Sequence, residues 1–291
     1  MQFADLIKLL LLGAIWGSSY LFMKLALPLT GAFFTSAARI VIGTVFILLL
    51  AFVKKQLPDF KSNYKAFLLA GLLNLIVPYA SITYASRYVT ASTGATLNAT
   101  TPIFTLLLAA VFLNEKITVR KIAGICLGIV GVVVLVGWNS HPQPASAFKG
   151  TALCLFAAVA YASANIYTRI NFKNLGALQI VTGQMLFSSL LLLPVALPLS
   201  ITIHLTANTV VIILCLALLS TVAGYLLYFQ LVQSAGPVKA SLVTFIIPVF
   251  AFCWSSLFFN EPVTGNLLVS FLLIASGLVC ILYPLRGNKQ Q

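Results

Sequence analysis

The chain has 291 residues, of which 61% are hydrophobic and 7% are charged, and it carries a formal net charge of +13. A soluble domain of this length needs a charged surface that such a composition cannot supply, so an ordinary soluble protein is excluded. The basic residues are spread thinly along the sequence and form no basic domain, which excludes a protein that grips nucleic acid.

Apolar runs of about 20 residues follow one another along almost the whole chain, and a helix of that length crosses a hydrocarbon layer of ~30 Å. The runs are continuous and do not alternate, which indicates helices and not the strands of a membrane barrel. We predict an all-α integral membrane protein with ten transmembrane helices, named span 1 to span 10 in chain order: residues 6–26, 31–53, 66–86, 91–113, 120–138, 150–170, 176–198, 209–232, 238–259 and 266–284.

The lysines and arginines predict how these spans are oriented in the membrane. If residue 1 is cytoplasmic, 13 of the 17 basic residues lie at cytoplasmic helix ends and loops. This bias follows the positive-inside rule, so we predict a multi-pass protein of a bacterial inner membrane with both termini in the cytoplasm. The 13 residues are Lys8, Lys54, Lys55, Lys61, Lys65, Lys116, Arg120, Lys121, Arg169, Lys173, Lys239, Arg286 and Lys289.

The sequence contains an internal repeat. The stretch PIFTLLLAAVFLNE at 102–115 returns 146 residues later as PVFAFCWSSLFFNE at 248–261. We predict two five-helix repeats, residues 1–138 and 150–291, joined by an extracytoplasmic linker at 139–149. Because five is an odd number, the second repeat begins on the opposite side of the membrane, so the two repeats are inverted, as in many secondary transporters.

The equivalent positions of the two repeats can be paired by a constant offset. Adding 146 pairs Pro78 with Gly224, Tyr79 with Tyr225, Asn98 with Thr244, Pro102 with Pro248, Glu115 with Glu261 and Gly131 with Gly277. Near the start of each repeat the offset is 145, and it pairs Trp16 with Tyr161, Tyr20 with Asn165 and Lys24 with Arg169.

Short motifs recur in a fixed order along the chain. Span 1 contains WGSSYLFMKLAL, span 2 contains AAR, and the segments that run from proline to NEKIT or NEPVT close spans 4 and 9. In this order and with this duplication, the sequence resembles the EamA-type family of drug/metabolite transporters over about residues 6–284. The resemblance implies a basket of ten helices, a central cavity lined by spans 1, 3, 4, 6, 8 and 9, and transport of small metabolites, often export of amino acids.

Polar and aromatic side chains lie near the midpoints of these same six spans. A polar group at that depth should face protein or a water-filled cavity. Packing between helices is the alternative explanation for any one of them. We predict that together they line one substrate site, formed by Trp16, Tyr20, Tyr79, Thr83, Asn98, Thr101, Tyr161, Asn165, Tyr225, Tyr228 and Thr244.

Helix kinks or gating positions are predicted in the third and fourth span of each repeat, at Pro78, Pro102, Gly224 and Pro248. Because Pro102 has no N–H, the carbonyl of Asn98 loses its helical partner. An unsatisfied carbonyl in the membrane costs several kcal/mol, so it should meet a side chain, water or a ligand. The alternative is a kink whose carbonyls are satisfied locally by Thr100 or Thr101 or by a neighbouring helix.

Three charged positions have two interpretations each. Glu115 and Glu261 follow the ends of spans 4 and 9, where each can turn the chain and cap the next helix through its dipole, or act as a gate. Arg39 lies about nine residues into span 2, too deep to reach the headgroups easily. We expect it to hydrogen-bond carbonyls inside the bundle, with attraction of an anionic substrate as the alternative.

Acidic and metal-binding groups are scarce within the spans. Asp5 and Asp59 are expected to be peripheral, which argues against a buried carboxylate relay and against a tightly bound organic cation. The sequence has no cysteine or histidine cluster and no nucleotide-binding loop, so we predict no metal, no cofactor and no enzyme. Gly124 and Gly128 fit close helix packing in span 5.

A site rich in aromatic, amide and hydroxyl groups suits a small neutral or zwitterionic metabolite such as an amino acid. We predict a secondary transporter that works by alternating access, exports this substrate as the resemblance implies, and needs the lipid bilayer but no protein partner. One alternative is a carrier of organic anions or other metabolites with Arg39, Lys24 and Arg169 as charge partners. A membrane-embedded enzyme and a channel are the others.

Overall fold

The structure is a computed structural model that describes residues 3–137, 145–203, 206–235, 240 and 242–282. Every element assigned in this part of the chain is helical. Residues 139–144 of the predicted linker lie outside the described residues.

The first half of the chain contains the helices Phe3–Val53, Phe60–Gly71, Leu72–Ile76, Val77–Ala85, Ala91–Asn98, Thr101–Phe112 and Val119–Gly137. The second half contains Ala145–Asn171, Ala177–Thr202, Ala207–Leu214, Cys215–Ala223, Gly224–Ala235, Val243–Phe259 and Gly265–Leu282. All are α-helices except Leu72–Ile76 and Cys215–Ala223, which are π-helical.

Several of these helices can cross a bilayer. Within the described ranges, six stretches are long and apolar enough: Phe3–Val53, Phe60–Ala85, Ala91–Phe112, Ser146–Asn171, Ala177–Pro194 and Ala207–Tyr228. Ile246–Phe259 and Gly265–Cys280 are apolar but shorter. The chain is therefore an all-helical membrane protein with several apolar spans.

Spans 1 and 2 are separated by a single irregular residue, Gly31. Its backbone has φ 72° and ψ 163°, a conformation that glycine adopts far more readily than any residue with a side chain. The hydroxyls of Thr30 and Thr35 lie 2.7 Å apart beside it, and Thr35 also donates to the Gly31 carbonyl at 2.7 Å. The predicted break between spans 1 and 2 thus falls at this residue.

Span 3 begins earlier than predicted, because Asp59 caps the helix that starts at Phe60. The Asp59 carboxylate accepts hydrogen bonds from the backbone N–H groups of Lys61 at 3.1 Å and Ser62 at 3.2 Å, and from the Ser62 hydroxyl at 2.5 Å. These bonds, the one from the Ser62 hydroxyl first, hold the pKa of the Asp59 carboxyl below its usual value. The cap adds a polar turn to the start of the helix.

Asp5 lies at the edge of span 1, as expected, but its side chain is buried against the protein. It lies in the first turn of the helix Phe3–Val53, where the helix dipole favours an anion. The Ser234 hydroxyl donates a hydrogen bond to its Oδ1 at 2.7 Å. This bond joins the start of span 1 to the end of span 8, a contact that the sequence does not predict.

Both third spans contain a π-helical segment at the matching position. Adding 146 to Leu72–Ile76 gives 218–222, which lies inside Cys215–Ala223. In span 3 the segment precedes Pro78, whose missing N–H removes a helical hydrogen bond, and Val77 instead donates five residues back to Leu72. Such segments occur frequently at functional sites, so the two halves share an irregularity at the depth of the predicted site.

Span 4 is broken at Ala99 and Thr100, just before Pro102. The Asn98 carbonyl, which Pro102 cannot satisfy, accepts a hydrogen bond from the Thr101 hydroxyl at 2.7 Å. The Thr100 hydroxyl donates to the Leu97 carbonyl at 2.6 Å. The freed carbonyl is therefore satisfied locally. In span 9 the helix Val243–Phe259 continues through Pro248.

The two halves of the chain interlock. The helix Phe3–Val53 contacts Ala177–Thr202, Cys215–Ala223 and Val243–Phe259, all of which belong to the second half. Spans 3 and 4 both contact the helix Ala145–Asn171 of span 6. Side chains from the middle of spans 1, 3, 4, 6, 8 and 9 can therefore meet between the halves.

Spans 5 and 10 pack through glycines. A Cβ added at Gly277 would lie 2.5 Å from the carbonyl oxygen of Gly124 and 3.1 Å from the backbone nitrogen of Gly128. A Cβ at Gly131, its equivalent in the first half, would lie 2.7 Å from Cγ1 of Ile274 and 2.9 Å from a backbone carbonyl. Small residues that let helix backbones approach closely are a principal means of association in lipid. The close packing predicted from Gly124 and Gly128 is confirmed.

We expect Gly277→Ala to destabilise the protein by about 1–3 kcal/mol, because the new methyl group meets backbone atoms that cannot move independently. Gly265→Ala is the matched control, since a Cβ there has no heavy atom within 4 Å. Thermal unfolding of both purified variants in detergent measures the difference. Equal melting temperatures for the two variants would contradict the packing described for spans 5 and 10.

Candidate functional site

Trp16 lies against the irregular part of span 8. Its Nε1 donates a hydrogen bond to the Ser220 carbonyl at 3.1 Å, within the π-helical segment. Its ring centroid is 6.2 Å from that of Tyr225, edge to face, and 5.6 Å from that of Tyr228. Aromatic pairs at these separations are attractive beyond the area they bury. The structure thus brings together three of the predicted site residues from spans 1 and 8.

Gly224 provides the space that Trp16 occupies. A Cβ at Gly224 would lie 2.4 Å from Nε1 of Trp16 and 3.0 Å from its Cδ1. The predicted irregularity at Gly224 is therefore accompanied by a packing role, because only a residue without a side chain lets the indole lie so close to the backbone.

Four tyrosines, Tyr20, Tyr79, Tyr161 and Tyr225, form a group that we call the tyrosine cluster. Tyr161 and Tyr225 pack against the hydrophobic cluster that contains Tyr79, and Tyr161 also packs against the cluster that contains Tyr20. Tyr79 and Tyr225 additionally face each other through their side chains. The four residues come from spans 1, 3, 6 and 8, two from each half. The cluster therefore lies where the two halves meet.

Arg39 is buried beside this cluster, with 4% of its surface exposed. The centre of its guanidinium lies 4.0 Å from the centroid of the Tyr79 ring, and its Nε donates to the Thr221 hydroxyl at 2.7 Å. A cation over an aromatic face in a desolvated place gains ~2 kcal/mol. The expected carbonyl partners are not the ones observed, since its described contacts are a hydroxyl, a ring face and the Met23 sulfur at 4.0 Å.

Asn98 connects the break in span 4 to the tyrosine cluster. Its side chain is half-buried and faces the Tyr20 hydroxyl. Its own Oδ1 also lies 3.4 Å from the Thr101 hydroxyl. The broken helix therefore presents an amide to the cluster, while the backbone of the break is satisfied by threonine hydroxyls.

The other predicted site residues lie in different surroundings. Thr83 is 1% exposed, and among the described residues its hydroxyl has no hydrogen-bond partner. A buried hydroxyl without a partner costs about 1–3 kcal/mol, so Thr83 is an unfavourable polar position in this arrangement. Thr244 is half-buried, and Asn165 is exposed. The structure therefore does not bury Asn165 with the tyrosine cluster.

Gln184 forms a buried polar contact that is not among the predicted site residues. It is 2% exposed, accepts from the Asn74 amide at 2.9 Å and donates to the Thr168 hydroxyl at 3.4 Å. Asn74 lies in the π-helical segment of span 3. An amide within the apolar run of span 7 is the signal that could have drawn attention to it, because a buried amide needs partners.

The Asn-Glu pairs that end spans 4 and 9 turn the chain in the same way. Asn114 and Asn260 adopt left-handed conformations with φ 53° and 51°. The backbone N–H of Glu115 then reaches the Ala109 carbonyl at 3.3 Å, and that of Glu261 reaches the Ser255 carbonyl at 3.4 Å. Asparagine tolerates this conformation better than most residues, and it commonly ends helices there.

Glu261 forms an ion pair with a basic residue of span 1. Lys24 at the end of span 1 pairs with its Oε1, and the Ser255 hydroxyl hydrogen-bonds its Oε2. The Lys24 amine also lies 4.6 Å from the centroid of the Phe259 ring. The side chains are only 27% exposed for Lys24 and 12% for Glu261. The pair is thus largely shielded from water.

Glu115 makes the equivalent ion pair, but the side chains of this pair are more exposed than those of Lys24 and Glu261. Arg169 of span 6 lies 2.7 Å from its Oε1, and Lys121 lies 3.9 Å from its Oε2. Here the side chain of Arg169 is 64% exposed and that of Glu115 is 33% exposed. Each glutamate thus pairs with a basic residue of the other half.

The sequence model of the EamA-like transporter family matches the chain twice, over residues 5–137 and 148–283. The chain belongs to this family. Two successive matches of one family model indicate a duplicated unit. As an EamA-like transporter, the chain is a multi-pass integral membrane protein that carries a small-molecule substrate, and it is not an enzyme.

Two relatives and one solved structure are similar over nearly their whole length. The EamA-like transporter is 27% identical over 270 residues to YoaV of Bacillus subtilis, named an uncharacterized transporter, with 91% of each chain covered. It is 23% identical over 282 residues to Protein PagO of Salmonella typhimurium, with 94% of this chain and 90% of PagO covered. A crystal structure of a protein that is 15% identical has a TM-score of 0.64 over 96% of each chain, which supports the fold alone.

We expect the loss of stability caused by Gly224→Ala to depend on whether Trp16 is present. With Trp16 present, the added methyl group meets the indole and should destabilise the EamA-like transporter by about 1–3 kcal/mol. In a Trp16→Ala background the same change should be neutral or stabilising, because alanine has a higher helix propensity than glycine. Thermal unfolding of the four proteins of this double-mutant cycle measures the coupling. A cost of Gly224→Ala that is the same in both backgrounds would contradict the packing.

Proposed function

We propose that this EamA-like transporter is a secondary, alternating-access carrier that exports a small neutral or zwitterionic metabolite, such as an amino acid, across a bacterial inner membrane. The observation that carries the proposal is the tyrosine cluster, in which aromatic faces and hydroxyls from four spans meet between the two halves. Such surfaces supply packing area for an apolar body and orient its polar ends.

The proposed substrate site extends from the tyrosine cluster to the polar groups around it. Trp16 and Tyr228 adjoin it through Tyr225, and Asn98 adjoins it through Tyr20. The full proposed set is Trp16, Tyr20, Tyr79, Thr83, Asn98, Thr101, Tyr161, Asn165, Tyr225, Tyr228 and Thr244, with Pro78, Pro102, Gly224 and Pro248 as the proposed kink and gating positions.

All ten spans cross the membrane in the proposed arrangement, as two inverted repeats at residues 1–138 and 150–291 with a linker at 139–149. The double family match, the matching π-helical segments and the identical Asn-Glu turns support the repeat. The distribution of basic residues supports cytoplasmic termini.

The two glutamate ion pairs are the proposed gates. In this arrangement, the pair of Lys24 and Glu261 lies at the outer side and the pair of Arg169 and Glu115 at the inner side. Each pair joins the first span of one half to the end of the fourth span of the other. When the two halves exchange conformations, the shielded pair therefore becomes the exposed one and the exposed pair becomes the shielded one. The shielded outer pair and the exposed inner pair suit a state that is closed to the outside.

The outer gate has supporting groups that the inner gate lacks. Ser255 and Phe259 contact the pair formed by Glu261, and their equivalents at the inner gate are Ala109 and Leu113, which have neither a hydroxyl nor an aromatic ring. This difference favours closure of the outer gate. A transporter with this bias rests with its site accessible from the cytoplasm, which suits loading of an exported substrate from that side.

We expect the two gates to differ in their effect on stability. Lys24→Met leaves the shielded Glu261 without its partner and should lower the free energy of unfolding by about 1–3 kcal/mol. Arg169→Met, the matched change at the exposed pair, should lower it by less than ~1 kcal/mol. Thermal unfolding of both variants tests this, and the double variant Lys24→Glu with Glu261→Lys should recover the lost stability. Equal costs at both pairs would count against the proposed gates.

Counterflow in proteoliposomes tests the transport proposal. Purified protein should carry labelled amino acids at a rate that saturates with concentration, whereas continuous ion current would point to a channel. Tyr79→Ala should raise the half-saturation concentration about tenfold, because it removes an aromatic face of the site. Tyr64→Ala is the matched control, since Tyr64 is exposed near the start of span 3. Equal effects of the two substitutions would refute the site assignment.

Export can be tested separately in cells. Cells that overproduce the protein should release the transported amino acid into the medium faster than cells that lack it. Faster accumulation inside the cells would reverse the proposed direction while leaving the site assignment intact.

A further inference from the structure

We propose that Arg39 binds the carboxylate of the transported substrate, which narrows the substrate class to small molecules with one carboxylate group, amino acids among them. The proposal rests on the transport function proposed above and concerns the same site. It assigns a specificity role to a residue whose position in span 2 lies outside the six spans predicted to line the cavity.

The first argument is the missing counter-charge. A buried cation in a membrane span is costly unless it is paired with an anion or oriented dipoles. All four acidic residues of the chain are described, and none of them pairs with Arg39. Their described partners are Ser234 for Asp5, Lys61 and Ser62 for Asp59, Arg169 and Lys121 for Glu115, and Lys24 and Ser255 for Glu261.

The second argument is the set of hydrogen-bond donors on Arg39. A guanidinium has five N–H donors in one plane, and the described residues use one of them well, the Nε bond to Thr221 at 2.7 Å. The only other hydrogen-bond contact of its guanidinium among the described residues is a long one to the Met23 sulfur. Tyr79 covers the face of the plane, and the edge has no oxygen partner in the described part of the chain. That edge matches the two oxygens of a carboxylate.

The third argument is that both halves hold the guanidinium in place. Arg39 and Tyr79 belong to the first half, and Thr221 belongs to the π-helical segment of the second. The Thr221 hydroxyl also donates to the Leu216 carbonyl at 2.9 Å, which fixes its direction and leaves a lone pair for Nε of Arg39. An anion that neutralises Arg39 therefore binds a cation whose position depends on both halves, and a change in their arrangement can alter its affinity.

The same geometry distinguishes classes of substrate. A sugar, nucleoside or amine would leave the Arg39 charge without a counter-ion. A dicarboxylate or phosphorylated compound would need a second cation, but Lys24 and Arg169 are already paired with glutamates. One carboxylate satisfies the site, and the tyrosine cluster beside it suits an apolar body.

Matched analogues test the proposal without changing the protein. The probes are leucine, leucinamide and isoamylamine, and phenylalanine, phenylalaninamide and phenethylamine, each used to inhibit counterflow of the labelled amino acids that the wild-type proteoliposomes carry. We expect the carboxylate form of at least one triad to inhibit ~10-fold or more strongly than its amide and amine, because a site built around a hydrogen-bonded group rejects analogues that lack it.

Variants of Arg39 test whether this residue causes the preference for a carboxylate over an amide or amine. Arg39→Gln should abolish the difference between carboxylate and amide, and Arg39→Lys should retain part of it, since lysine keeps the charge but loses the planar fork. Arg87→Gln is the control that removes a basic residue from outside the site. If Arg39→Gln does not fold, as judged by gel filtration, the wild-type analogue series still decides the matter.

The outcomes separate this inference from the transport proposal. Saturable flux in which amides and amines inhibit as well as carboxylates would overturn the role of Arg39 and leave the carrier intact. Transport confined to sugars, nucleosides, dicarboxylates or phosphorylated compounds would overturn it as well. Absence of saturable flux for every labelled compound would instead contradict the proposed function itself.

Discussion

Hydrocarbon donates and accepts no hydrogen bonds, and this constraint decides where every polar group of the chain can lie. The backbone is satisfied within helices, so the apolar side chains can face lipid without further partners. Many polar side chains in the spans bond within their own helix, as Ser18 and Thr182 do, or meet another helix, as Gln184 and Arg39 do. The boundary between the two halves collects these groups because it is the place where most spans meet. The substrate site that we propose there meets the same requirement, since a polar ligand also needs partners that lipid lacks.

The two π-helical segments occur at equivalent positions of the two halves. Only the first, in span 3, precedes a proline, at Pro78, while the second, in span 8, precedes Gly224. One segment carries Asn74 toward Gln184, and the other presents Ser220 and Thr221 to Trp16 and Arg39. Equivalent positions thus have the same backbone geometry, while the residues and their contacts differ between the halves.

Several features follow from the sequence because their physical causes are local. Hydropathy indicates helices, duplicated motifs indicate the family and its repeat, and glycine spacing in span 5 indicates close packing, confirmed at Gly124 and Gly128. The position of aromatic residues near the middle of the spans was enough to predict Trp16 and the tyrosine cluster as site residues, and these side chains do meet in the structure. Asn165, which was predicted for the same site, has the expected position along its helix, but its side chain is exposed and is not buried with the cluster. Position along a helix gives depth, and depth alone does not say which neighbours a side chain has.

The sequence by itself determined the helical membrane architecture, the family and the duplicated unit, because hydrophobic length and local motifs carry that information without reference to distant residues. Only the tertiary structure decided the partners. Glu261 meets Lys24 across 237 positions, Arg39 meets Thr221 across 182, and Ser234 meets Asp5 across 229. The Asn-Glu turn can be read locally, but the cation that each glutamate reaches belongs to the other half of the chain. Such pairings depend on how the two halves interlock, and no short-range pattern in the sequence encodes that arrangement.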